Sequence, residues 1–161
     1  MRKILYYVHI DKTAGTTFHE ILRNNFYTHY ITSDLKNNLT FQELKKIKKF
    51  YPFFKSFGGH NVLFYKNYGN TDQDYYGTTF LRNPIDRTVS EFFHRKPKEK
   101  FSFQSFLEEK NWRNRMCKKI SGVESYILSK EIIEKKRALV LITEYFDESL
   151  IVLKDFIEKN N

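Results

Sequence analysis

The chain has 161 residues, 40% of them hydrophobic and 17% aromatic, with only 6 Gly and 3 Pro, which excludes a disordered polypeptide and supplies apolar material for one domain spanning 1–161. The 28 Lys+Arg against 19 Asp+Glu leave a formal net charge of +9, so the expected partners are anions: nucleic acid, phosphorylated small molecules, acidic glycans or anionic lipid. One cysteine, Cys117, excludes an internal disulfide and a cysteine zinc site, which makes a reducing, cytoplasmic setting the default.

The N-terminal "MRKILYYVHI" places two basic residues before an apolar run, yet His9, Asp11 and Lys12 follow it without a small-residue cleavage site. No stretch approaches the ~18 apolar residues of a membrane span. Ile4 to Ile10 reads as a strand buried on both faces of a parallel sheet, and Phe18, Ile21, Leu22 and Phe26 recur at helical spacing after it. Thr40 and Glu43 form a capping box for a second helix marked by Phe41, Leu44, Ile47 and Tyr51, ending before Pro52. "SFGGHNVLFY" offers short strand material around a Gly-Gly turn, and "KNYGNTDQDY" reads as a polar loop.

Tyr76 to Arg82 is the next predicted strand, and "NPID" restarts a helix with Asn83 as N-cap, Pro84 at the first position and Asp86 at the third. Ile85, Val89, Phe92 and Phe93 are expected to supply its apolar face, and "RKPKEKFS" to be a basic loop. Phe103, Phe106 and Leu107 suggest a short helix, and "NWRNRMCKKISG" another stopped at Gly122, with Cys117 a buried small residue on it. Ala138 to Ile142 is a compact apolar strand, followed by a cap at Asp147 and a last helix carrying Phe146, Leu150, Leu153 and Ile157. Strands alternating with helices imply an α/β fold with a mainly parallel sheet flanked by helices.

The stretch "HIDKTAGTTF" gathers a lysine and three threonines around Gly15 between a strand and a helix. A helix N-terminus presents unpaired N–H groups and partial positive charge, so a loop entering it suits an anion. Gly15 permits close backbone approach, Thr13, Thr16 and Thr17 offer hydroxyls, and Lys12 adds a cation. Gly15 follows Lys12, so the spacing is not that of a nucleotide-triphosphatase P-loop, which needs glycines before the lysine.

This stretch resembles the 5'-phosphosulfate loop of the carbohydrate sulfotransferases that use 3'-phosphoadenosine 5'-phosphosulfate (PAPS), including enzymes of the heparan sulfate 2-O-sulfotransferase type. "TFLRNPIDRTVSEFFH" is similar to their 3'-phosphate motif, with Arg82 closing a strand and Ser90 eight positions later. "GGHNVLFY" is similar to the segment carrying their catalytic histidine, here His60, and "LVLITEYFDESLIVL" to their late strand-helix unit. The resemblance runs from about Tyr6 to Leu153 and implies a P-loop NTPase-like sulfotransferase fold.

Its implied roles are specific. Lys12 and residues Thr13, Ala14, Gly15, Thr16 and Thr17 would hold the 5'-phosphosulfate, Lys12 stabilising charge on the bridging oxygen as it breaks. Arg82 and Ser90 would hold the 3'-phosphate, His60 would act as base, and the segment from Asn114 to Gly122 would contribute to adenine binding. His9 is expected to pack at its strand end, while His94 and Arg95 could face the acceptor. The implied reaction transfers a sulfuryl group from PAPS to a hydroxyl of a glycan or other acceptor, releases adenosine 3',5'-bisphosphate and requires no metal.

Three departures from the family pattern bear on this reading. Asp11 replaces the usual proline and should point away from a dianion or weaken its binding; Gly59 replaces a second histidine found in some relatives, leaving His60 without that helper; and the short C-terminus leaves part of the acceptor surface unaccounted for. The alternatives are a basic nucleic-acid-binding module, for which no recognised motif is present and no nucleic acid is expected, an ATP-dependent kinase of altered motif, and an inactive relative that only binds the donor.

Overall fold

Alternation along the first strand fixes the architecture. In the computed structural model, which describes residues 3–33, 37–69, 75–99 and 102–160, β1 (Ile4–Val8) sends Leu5 and Tyr7 into one apolar layer and Tyr6 and Val8 into the other. A strand buried on both faces must lie inside a sheet covered on both sides, as the continuous apolar run predicts.

From β1 the chain enters α1 (Gly15–Phe26), then β2 (Tyr30–Thr32), α2 (Phe41–Phe50) and β3 (Ser56–Gly59). An irregular segment leads to β4 (Tyr75–Leu81), which is followed by α3 (Pro84–Glu99), α4 (Phe103–Glu108), α5 (Arg115–Ser121) and α6 (Tyr126–Lys135). β5 (Leu139–Ile142) and α7 (Phe146–Asn160) complete the order. The five strands lie in the order β2-β3-β1-β4-β5, and every pairing is parallel.

Register brings Val8 level with Gly59 on β3, and Tyr7 level with Thr78 on β4. Thr79 Oγ1 donates to the Val8 carbonyl at 2.8 Å, tying β4 to the C-terminal end of β1. One layer packs Phe18, Leu22, Phe80 and Leu153 against the sheet; the other packs Leu44, Phe57, Phe64 and Ile120. No helix among the described residues is long and apolar enough to cross a membrane.

The predicted capping box is present: Glu43 N donates to Thr40 Oγ1 at 3.3 Å, while Thr40 N donates to Glu43 Oε2 at 2.8 Å. Asn83 caps α3 as its sequence implies, Oδ1 accepting from Ile85 N at 2.9 Å and Asp86 N at 3.4 Å. Gly122 ends α5 with φ 83°.

Several expectations change. The basic stretch was predicted as a loop, yet α3 continues through Glu99; Lys100 and Phe101 of that stretch, like residues 70–74 of the polar loop, lie outside the described residues. Of the four residues assigned to the apolar face of α3, only Phe92 is buried, whereas Ile85, Val89 and Phe93 are exposed. Arg87 and Glu91 turn inward instead, as an i,i+4 pair with side chains 3% and 1% exposed and 4.0 Å between Arg87 Nη1 and Glu91 Oε2. Opposite charges one turn apart compensate each other, which is what admits them to the interior.

Asp147 does not cap the last helix. A 3-10 turn at Thr143–Tyr145 leads directly into α7, whose first turn contains Asp147. The unpredicted α6 is capped by Ser125, whose Oγ accepts from Leu128 N at 3.2 Å, and the unpredicted β2 is three residues long and exists through its pairing with β3. Cys117 lies on α5 and is half-buried.

Candidate active site

The C-terminal ends of β3, β1 and β4 lie side by side, and the segments leaving them run to His60, to Lys12 and to Arg82. β1 has neighbours on both sides whose chains reach it by different routes, the arrangement that opens a crevice at the strand ends of parallel sheets. A cavity of about 320 Å³ occupies that position. Its walls contain Lys12, Ala14, Gly15, Thr16 and Thr17 from the first loop, His60 from the second, and Arg82 and Ser90 from β4 and α3. His9, Asp11, Glu91, His94 and Arg95 also line it.

The first loop owes its shape to two residues in the left-handed region, Lys12 at φ 65° and Ala14 at φ 61°. Such conformations cost energy in residues other than glycine and persist where surrounding structure enforces them. Ala14 occupies the N-cap position of α1 without a side-chain cap, and no acidic residue occupies the first helical turn. The N–H groups at the start of α1 therefore have no side-chain cap, and the exposed Thr16 and Thr17 line the cavity beside them, a setting that suits an anion.

Thr13 is different. Its hydroxyl was expected to face a ligand, but the residue is fully buried and Oγ1 donates to the Ile10 carbonyl at 2.9 Å, bracing the loop from beneath. Gly15 also has a reason that local sequence does not reveal: a Cβ there would lie 1.9 Å from His9 Nε2. Any side chain at this position would collide with a buried histidine ring.

That ring belongs to a line of aromatic groups. His9 and His60 stack with centroids 3.8 Å apart and ring planes at 23°, and His9 Nδ1 lies 3.1 Å from His19 Nε2. His19 Nδ1 is hydrogen-bonded to Tyr30 OH at the edge of the sheet. Burial, reinforced by His60 and then His19, pushes His9 down to about 3, so it is neutral at physiological pH.

Asp11 neither points away nor stands alone beside the cavity. Its Oδ2 accepts from Arg115 Nε at 3.0 Å, and its Oδ1 lies 3.2 Å from His60 Nδ1. Burial opposes its ionisation, but Arg115, His60 and Lys119 together outweigh that cost and hold the carboxyl below the usual range. Lys119, one turn after Arg115 on α5, donates through Nζ to the His60 carbonyl. Burial, followed by the Arg115 charge, lowers Lys119 to about 8 against the opposing pull of Asp11.

Gly59 leaves no room for a side chain: its φ is 154°, and a Cβ would lie 2.3 Å from the Ser33 carbonyl oxygen. His60 instead has Asp11 and His9 beside it.

On the opposite wall, Arg82 Nη1 donates to the Lys12 carbonyl at 3.4 Å, which joins the two loops. The backbone N–H of Asn83 donates to Glu144 Oε1 at 2.7 Å, and Thr143 Oγ1 to the Leu81 carbonyl at 2.9 Å, so the turn after β5 braces the start of α3. His94 and Arg95, which could face an acceptor but carry no assigned role, share the cavity wall; Arg95 Nε is bonded to Glu91, and its guanidinium carbon lies 3.6 Å from the centroid of the Trp112 ring.

The residues from Asn114 to Gly122 do not line this cavity. They support its floor through Arg115 and Lys119, while Asn114 borders a separate cavity with Thr88, Phe106 and Trp112. Arg115 and Lys119 lie in the segment expected to contribute to adenine binding, not to stand beside the histidine, and Glu91 had no assigned role; its advance signal is the i,i+4 spacing with Arg87 and Arg95.

The fold is similar to that in the crystal structure of a sulfotransferase from Alicyclobacillus acidocaldarius, with 15% sequence identity, a TM-score of 0.51, and coverage of 95% of this chain and 78% of that chain. No curated protein matches the sequence. The profile of the sulfotransferase family matches residues 2–147, and those residues contain the loop, the histidine segment and the Arg82 to Ser90 unit that meet at this cavity; the chain belongs to the sulfotransferase family.

Proposed function

We propose that the protein transfers a sulfuryl group from PAPS to a hydroxyl of a carbohydrate. The observation that carries this reading is the meeting of two anion-binding walls in one cavity with His60: the uncapped start of α1 with Lys12, and Arg82 with Ser90. A donor with a phosphosulfate at one end of its ribose and a phosphate on the 3'-oxygen needs two such walls. The residues present fit that group.

PAPS supplies an activated sulfuryl group: a bond from sulfur to the acceptor oxygen forms as the bridging S–O bond breaks, and the electron pair leaves with the phosphate. Lys12 and the N–H groups opening α1 stabilise the charge that develops on that oxygen, which is worth most when donors are fixed beforehand by the fold. Arg82 offers two parallel donors to the 3'-phosphate and Ser90 a hydroxyl, fixing the nucleotide in register. His60 takes the acceptor's proton, a role for which an imidazole near neutral pKa contributes about 10²- to 10⁴-fold. The carbohydrate assignment rests on the resemblance of the motifs, and the net charge of +9 suits an acidic glycan.

Calorimetric titration with adenosine 3',5'-bisphosphate, with AMP and ATP as controls, tests the donor. Selective binding of the bisphosphate is expected. Preference for ATP, or tighter and strongly salt-dependent binding of oligonucleotides, overturns the reading in favour of a kinase or a nucleic-acid module. With the donor established, His60→Ala should retain bisphosphate binding and lose transfer to a glycan panel.

A further inference from the structure

Beyond the roles assigned above, we propose that Asp11 is a positioning residue for His60: its carboxylate, held in place by Arg115, favours the His60 tautomer protonated on Nδ1 and stabilises the imidazolium formed when Nε2 takes the acceptor's proton. This inference rests on the proposed role of His60 as base. The carboxylate has a cation on one oxygen and the imidazole near the other, at 3.0 and 3.2 Å, and its side chain is 19% exposed.

Three contacts support the arrangement independently. His9 stacks on His60 and limits its ring plane. Lys119 holds the backbone carbonyl of His60 from α5. Arg115, on the same helix, anchors Asp11, so one short helix fixes both members of the pair. A base is more effective when a third group orients it and fixes its tautomer.

The proton balance is closed within the site. The acceptor's O–H proton moves to His60 Nε2, the Nδ1 proton stays beside Asp11, and the carboxylate remains ionised; burial disfavours that ionised form, but Arg115, then His60 and Lys119, lower its pKa below the ordinary value. Among the described residues, Asp11 and His9 lie against the His60 ring and Lys119 against its carbonyl, Arg115 reaches it through Asp11, and Lys12, Arg82 just after β4, and Glu91, His94 and Arg95 on α3 share its cavity. Asp11 is the carboxylate beside the imidazole ring, at 3.2 Å from Nδ1.

NMR titration of His60 in the protein without donor is the test. Asp11→Asn should lower the His60 pKa by about one unit, the low end of what an adjacent opposite charge produces. Arg115→Gln should raise it, because a cation is removed while the carboxylate stays. In activity assays, Asp11→Asn should lower kcat roughly 10- to 100-fold, within what a positioned base contributes, and move the acid limb of the pH profile down by the same amount. Bisphosphate affinity should hold, and Asp11→Glu should restore part of the rate.

An unchanged His60 titration in both variants overturns the proposal. So does an Asp11→Asn enzyme with the parental kcat and pH profile. If the titration shifts as stated but no glycan is sulfated by the parent protein, the pairing stands and the functional reading fails. Should Asp11→Asn not fold, the Arg115→Gln titration decides, read in a variant whose Tm and circular dichroism match the parent, since a loosened structure exposing His60 to water would also raise its pKa; no rise in such a variant overturns the proposal.

Discussion

The two strand-loop-helix units that build the cavity solve the same problem in opposite ways. After β1 the loop is left-handed at Lys12 and Ala14, and α1 starts without a side-chain cap. After β4 the turn is relaxed, and Asn83 caps α3 through its side chain. The first unit leaves its backbone donors unspent and turns them to the cavity; the second spends them on its own cap and presents side chains, Arg82 and Ser90. Donors are left open on the backbone where the loop is left-handed, and side chains line the cavity where the helix start is capped.

Their inward faces differ as well. α1 buries Phe18, His19 and Leu22, whereas α3 buries Arg87 and Glu91 with Phe92. The most severe way to break the contrast is Glu91→Ala, which leaves Arg87 buried without its compensating charge. A loss of about 3–5 kcal/mol is expected, a drop in Tm on the order of 10 °C by calorimetry. A Tm within 2 °C or so of the parent would show that the pair is not a buried dependency.

Lys12→Ala tests the first unit at its ligand side. Transfer should fall about 10²- to 10³-fold while circular dichroism and Tm stay near those of the parent, because the side chain lines the cavity rather than the core. Turnover at the parental rate would remove Lys12 from the mechanism.

Arg82→Ala sharpens the side-chain half of the comparison. Affinity for adenosine 3',5'-bisphosphate should fall by roughly 1.5–3 kcal/mol, the scale of hydrogen bonds to charged groups. Affinity for adenosine 5'-phosphosulfate, which lacks the 3'-phosphate, should change much less. Equal losses for both ligands in calorimetry would contradict the assignment.

The smallest effect belongs to the cap itself. Asn83→Ala should cost about 1 kcal/mol of stability by denaturant titration, as removal of a helix N-cap does. Ala14 has no such cap to lose.

Much of this site was legible as spacing. Lys12 and Gly15 are legible because a strand end, a loop and a helix start are local features visible within a dozen residues, whereas Arg82 and Ser90 are legible only through the resemblance of their motif. Burial on both faces of β1 was legible for the same reason. The apolar face assigned to α3 failed because periodicity reports where apolar residues recur, not which side of a helix meets the core; there the inward side borders a polar cavity and carries Glu91.

The sequence by itself determined the alternation of strands and helices, the caps at Thr40 and Asn83, and the identity of the two loops that end at the cavity, since these depend on neighbours in the chain. Only the tertiary structure decided what surrounds His60. The stacking of His9 beneath it, Asp11 beside it, and Arg115 and Lys119 reaching over from α5 join residues up to 104 positions apart. Such contacts arise because parallel β3 and β1 end side by side in register, with α5 packed beyond them, and no local pattern encodes that juxtaposition.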